Sequence, residues 1–125
     1  MPPENMWGDI PNTPARTPYL ILKEQAEKLT ELTRYTLHGE ASQRDWSGRF
    51  NVDFSIRVPT LEDYRFQILQ VQYGIGLYPL EIRDAVHNTR TSCSSEEEFL
   101  AATKKILTSP EVKNAISVLL AQASG

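Results

Sequence analysis

Residues 49–58, RFNVDFSIRV, constrain the fold more than any other stretch of the chain. Phe50, Val52, Phe54, Ile56 and Val58 alternate without a break against Asn51, Asp53, Ser55 and Arg57. Successive side chains of a strand point to opposite faces, so this period of two predicts a strand dry on one side and wet on the other. Such a half-buried strand belongs to an antiparallel sheet, and its apolar side needs a cover.

Residues 17–39, TPYLILKEQAEKLTELTRYTLHG, supply one. Leu22, Ala26, Leu29, Leu32 and Thr36 or Leu37 recur at three- and four-residue steps. Lys23, Glu24, Glu27, Lys28 and Glu31 fall mostly on the other side, which is the pattern of an amphipathic helix. Thr17 is placed to cap it, Pro18 suits its first position and Gly39 its exit, with His38 beside the terminal carbonyls.

The next apolar run, YRFQILQVQY over 64–73, changes phase. Tyr64, Phe66 and Ile68 keep one parity; Leu69, Val71 and Tyr73 keep the other. A register pairing Val58 with Tyr64, Ile56 with Phe66 and Phe54 with Ile68 is restored beyond the change if one extra residue is inserted. A β-bulge is therefore expected at Leu69–Gln70, unless the arm or another subunit covers the second face. LYPLEIR over 77–83 reads as a further strand, placed at an edge because Pro79 cannot donate to a ladder. A short polar strand over 40–46, turned at Ser47–Gly48, opens the sheet. Ser95 and Glu98 have capping-box spacing ahead of a helix, and Ser109–Pro110 starts another.

The expected fold is α+β: a two-layer sandwich in the order α-β-β-β-β-α-α, an antiparallel four-stranded meander with helices on one face. The length of 125 residues suits one domain over 17–125. It is preceded by a proline-rich extended arm over 1–16, in which Trp7 is a candidate partner anchor.

The formal charge of −3 and pI near 5.4 argue against a nucleic-acid partner, which calls for a basic face. No apolar run is long enough to span a bilayer and no secretory pattern opens the chain, so no membrane partner and a cytoplasmic location are expected. Cys93 and His87 stand in HNTRTSCSSEEEF, residues 87–99, which reads as a polar linker. Glu96, Glu97 and Glu98 would repel a thiolate there, and no third group is evident to orient the histidine. Cys93 is thus expected to be an ordinary exposed loop residue. His38 and His87 with that cysteine make no zinc spacing. Neither a catalytic set, nor a metal, nor a cofactor is expected.

Candidate binding residues lie on the wet side of the strands. The expected register sets Arg57 opposite Arg65, a like-charge pair that needs a neutraliser, and Asp53 is the nearest carboxylate. Trp46 and Arg49 flank the adjoining turn, and tryptophan and arginine are frequent at interfaces. These features favour a non-catalytic protein-binding domain (adaptor, chaperone-like or immunity-type) acting through the sheet face, a strand edge or the arm, with a homodimer as one form. The alternative is a binder of small anions, or an enzyme, floored by Arg57, Arg65 and Asp53.

Overall fold

The computed structural model describes residues 2–124. Its sheet has five antiparallel strands in the order β1-β2-β3-β4-β5: β1 (His38–Trp46), β2 (Arg49–Val58), β3 (Tyr64–Gly74), β4 (Leu80–Asp84) and β5 (Thr89–Cys93). Helices α1 (Pro18–Leu32), α2 (Glu96–Leu107) and α3 (Pro110–Ser124) complete a two-layer α+β domain. Inward-facing Val52, Phe54, Ile56, Leu69, Val71 and Ile82 form one core with Leu22, Phe99, Val112 and Leu119 of the helices. The arm is described from Pro2 and contains no helix or strand up to Arg16.

Helix α1 begins as expected: the Thr17 hydroxyl accepts from the Leu20 amide at 3.1 Å, and Pro18 takes the first turn. It stops at Leu32, seven residues short of the expected glycine exit. The stop is a Schellman motif, with Tyr35 N–H donating to Thr30 O (2.8 Å) and Arg34 N–H to Glu31 O (3.0 Å). Arg34 takes the left-handed position usually given to glycine, at φ 53°. Leu32 is consequently 81 % exposed rather than part of the buried stripe, while Leu37 is fully buried from the connection that follows. His38 opens β1 instead of ending the helix.

Two helix threonines tie that connection down. The Thr33 hydroxyl accepts from Leu37 N–H at 3.2 Å, and the Thr30 hydroxyl accepts from Gly39 N–H at 3.0 Å while donating to Ala26 O. They draw β1 against α1 so closely that a Cβ on Gly39 would lie 2.4 Å from Ala26 O.

The β1–β2 hairpin turns at Ser47–Gly48, both with positive φ (50° and 76°), the two-residue geometry that matches strand twist. The pairing of β2 with β3 follows the expected register through Ser55–Gln67 and again from Val52–Val71 to Phe50–Tyr73. Between these runs Phe54 faces Leu69, not Ile68, and Ile68 is the extra residue. The bulge thus falls one residue earlier than expected, and it buries both Ile68 and Leu69. That resolves the change of phase without a second cover.

The expectation of four strands and of an edge at Pro79 fails for one reason. The apparent linker after residue 84 turns back as β5, with Leu80 opposite Cys93 and Asp84 opposite Thr89. Strand β4 is therefore internal. Pro79 precedes its first paired residue and costs the ladder nothing. Asp84 shapes the turn: its Oδ1 accepts from Val86 N–H and His87 N–H, each at 2.9 Å, the side-chain chemistry that favours aspartate in turns. Cys93 is buried at the end of β5, not exposed in a loop, and burial followed by the nearby Glu98 carboxylate pushes its thiol pKa up.

Ser95 and Ser109 cap α2 and α3 through the amides of Glu98 and Val112. Glu96, Glu97 and Glu98 meet the positive end of α2, and Lys104 and Lys105 its negative end. No helix among the described residues is long and apolar enough to cross a membrane.

Candidate functional site on the outer face of the sheet

The strict alternation that buries one side of β2 leaves the opposite side of the sheet without a helix over it. This outer face carries Arg44, Arg49, Arg57, Arg65, Arg83 and Arg90, as the ladder registers require. Every lysine of the chain, by contrast, sits on a helix. The carboxylates on the same face are Glu40, Asp53 and Glu81, so an acidic chain presents a face on which arginine exceeds acid.

Arg57 and Arg65 are directly opposed, as expected. Their neutraliser is Glu40 of β1 rather than Asp53. Its two oxygens accept from Arg57 Nε at 2.5 Å and from Arg65 Nε at 3.2 Å. Arg57 also donates to Asp63 Oδ1 at 2.7 Å, and Asp63 followed by Glu40 raises its pKa. Glu40 went unnoticed in the sequence because its strand is polar on both sides and shows no alternation. Asp53 instead gathers amides: Gln67 Nε2 at 3.1 Å and Gln70 Nε2 at 2.9 Å, with Arg44 at 3.4 Å. The strand residues proposed from sequence thus share one face, but Asp53 and the arginine pair belong to separate clusters. A shallow depression of about 430 Å³ lies between them, lined by Glu40, Ser42, Asp53, Ser55, Arg65 and Gln67.

Trp46 and Arg49 face each other across the last rung of the β1–β2 hairpin, and Trp46 is 82 % exposed. The neighbouring β3–β4 loop adds exposed Ile75, whose side chain comes within 3.4 Å of a Cβ built on Gly48. Trp7 is equally exposed, with its backbone N–H donating to Asn5 Oδ1 at 2.9 Å.

His87, which the sequence left without an orienting group, has two. Its Nδ1 lies 2.6 Å from Oδ2 of buried Asp84, and its Nε2 lies 3.0 Å from Oε2 of Glu111 at the start of α3. Cys93 sits at the far end of the β4–β5 ladder, so the two make no nucleophile–base pair. Hydrogen bonding to Glu111, then to Asp84, raises the His87 pKa above its ordinary 6.5, and His87 lowers Glu111 below 4.5.

The raised histidine contributes stability that is whole below pH 6.5 and lost as pH climbs through its folded value. The lowered glutamate contributes stability that is whole above pH 4.5 and lost as pH falls through its folded value. His87→Ala is accordingly expected to lower the melting temperature most between those two values, with the difference narrowing as pH rises through the folded value of His87. Thermal unfolding followed by circular dichroism across pH checks it; a melting difference independent of pH would refute the linkage.

Among the described residues no group of His, Cys, Asp and Glu is arranged to hold a metal ion. No family model, curated protein or solved structure matches the chain.

Proposed function

We propose that the chain is a non-catalytic protein-binding domain, of adaptor, chaperone-like or immunity type, that recruits its partner on the outer face of the sheet. The observation that carries this reading is the segregation of charge: six of the eight arginines on the uncovered sheet, every lysine on a helix. Arginine stacks, forks and sheds water more readily than lysine, and with tryptophan it dominates the energetics of interfaces. Trp46 beside Arg49 provides an anchor at one corner. The strand edges and the Trp7 arm extend the contact surface, and the single buried thiol suits a reducing cytoplasm. A homodimer through this face is the version with the fewest components.

A small-anion site at Arg57, Arg65 and Asp53 is less well supported. Glu40 already lies between the two guanidinium groups, and Asp53 places a second carboxylate on the depression. A continuous nucleic-acid backbone meets the same interleaved acids.

Photo-crosslinking separates these readings. A benzophenone side chain at Trp46 or Ser42 is expected to capture one stoichiometric protein partner, or a second copy of the chain. The same group at Glu27 on α1 is expected to capture none, and Arg65→Glu is expected to suppress capture from the sheet positions. The reading fails if the sheet positions capture nothing while carboxylates or phosphates raise the melting temperature in an Arg57-dependent way.

A further inference from the structure

The two edges of the sheet differ. Strand β1 lies against α1, and its Gly39 N–H is taken by the Thr30 hydroxyl. On β5, Thr89, Arg90, Thr91 and Ser92 are all exposed, and among the described residues no backbone hydrogen bond joins this strand to anything but β4. An unpaired edge is a template for another strand.

Both faces beside this edge are shaped for alternate side chains. On the outer face Arg90 is directly opposite Arg83. Arg83 has no carboxylate within ion-pair distance among the described residues, and Arg90 has only Glu81, at 3.5 Å. The other end of the same face shows what completes such a pair. There the order across neighbouring strands is Glu40 on β1, Arg57 on β2 and Arg65 on β3, with one carboxylate serving both guanidinium groups. Read inward from β5, the order is Arg90, then Arg83, and the strand that would carry the acid is missing. On the inner face a groove of about 520 Å³ separates β5 from α2, lined by Thr89, Thr91, Ala101, Ala102, Lys105 and Ile106 with Asp84 and His87 at one end. Between the polar ends of Lys105, Asp84 and His87, the alanines, threonines and Ile106 leave it room for a modest aliphatic group.

We propose that the free edge of β5 accepts an extended segment of a partner protein as a sixth strand. Its outward residues are acidic and meet Arg90 and Arg83; its inward residues are small and aliphatic and enter the groove beside α2. Main-chain bonds supply affinity in this mode, and the alternating pockets supply specificity. The inference rests on the protein-binding reading above and narrows it to one edge and one peptide chemistry.

The test is titration of the full chain with a fluorescein-labelled heptapeptide of alternating valine and glutamate, followed by anisotropy and by amide NMR. Saturable binding is expected, with the largest shifts in the amides of residues 89–93. Binding should weaken about tenfold or more in the double variant Arg83→Ala/Arg90→Ala, as for paired charges at an interface. A peptide N-methylated on alternate residues along one edge should lose binding, because it cannot pair with the ladder. The proposal is overturned by no saturation up to about millimolar peptide, by equal binding of a valine–lysine peptide, by shifts that spare residues 89–93, or by displacement of the peptide with single-stranded DNA. If the peptide fails while crosslinks at Trp46 or Ser42 still capture a protein, the edge is wrong and the face stands; if both fail, the protein-binding reading falls as well.

Discussion

Phe54→Asp is expected to abolish cooperative unfolding and leave the chain without a folded state at 25 °C. Phe54 is among the largest fully buried side chains and stands where β2 meets β3 at the bulge, within reach of α1 and α3. Truncating a buried phenylalanine alone costs about 3–5 kcal/mol. A carboxylate in its place is set among apolar Ile56, Ile68 and Val112, and the one cation lining the same cavity, Lys28, is an exposed residue of α1 that holds its charge in water. Burying the group costs several kcal/mol more whether it stays ionised or takes up a proton. Together these reach the ~5–15 kcal/mol that holds a domain of this size. Phe54→Ala separates the two contributions. It should fold, unfold cooperatively in urea, and lose only the cavity cost of about 3–5 kcal/mol. A folded Phe54→Asp with dispersed amide resonances would mean that this side of β2 is not the dry one, and the assignment of the outer face as a binding surface would go with it.

How far the sequence disclosed this fold depended on how strongly each segment repeats. Strand β2 announces itself because its alternation runs unbroken from Phe50 to Val58, and the same period located its partner β3 to within one residue of the bulge. Caps at Thr17, Ser95 and Ser109 were legible because a hydroxyl before a helix has a direct electrostatic purpose. Strand β5 was not. Thr89–Cys93 contains four polar residues and only one buried side chain, so no period of two could emerge, and its identity comes from pairing with β4 rather than from its own composition. The end of α1 was misjudged for a related reason: a Schellman stop with Arg34 in the left-handed position carries none of the glycine signal that marks such ends.

The candidate site was legible in half. Opposing Arg57 to Arg65 required only the β2–β3 register, which alternation supplied. Their shared Glu40 lies on a strand that is polar on both sides up to Trp46, and its role depends on a hairpin register no local pattern reveals. His87 followed the same course. Asp84 is three residues away and visible, but its burial and the arrival of Glu111 from α3 are products of tertiary packing.

Gly39→Ala should be the most damaging single-methyl change in the chain. A Cβ there would lie 2.4 Å from Ala26 O and 2.6 Å from Ala26 Cα. Both are backbone atoms of α1, and the helix cannot yield locally without breaking the Thr30 and Thr33 links that seat β1 against it. Overpacking of this kind costs about 1–3 kcal/mol and more where the obstacle is rigid, so the expected loss is about 3 kcal/mol and the melting temperature should fall by roughly 10 °C. Adding Ala26→Gly should recover none of this, since the obstructing atoms are not the alanine's side chain. Gly76→Ala is the matched control: its nearest neighbour is Tyr78 O at 3.9 Å, and its φ is not in the left-handed region, so the extra methyl should be neutral within about 0.5 kcal/mol. Chemical denaturation of the three variants decides it. Should Gly39→Ala melt with Gly76→Ala, α1 does not press on β1, and the contrast between a first edge covered at its start and an open β5 would lose its physical basis.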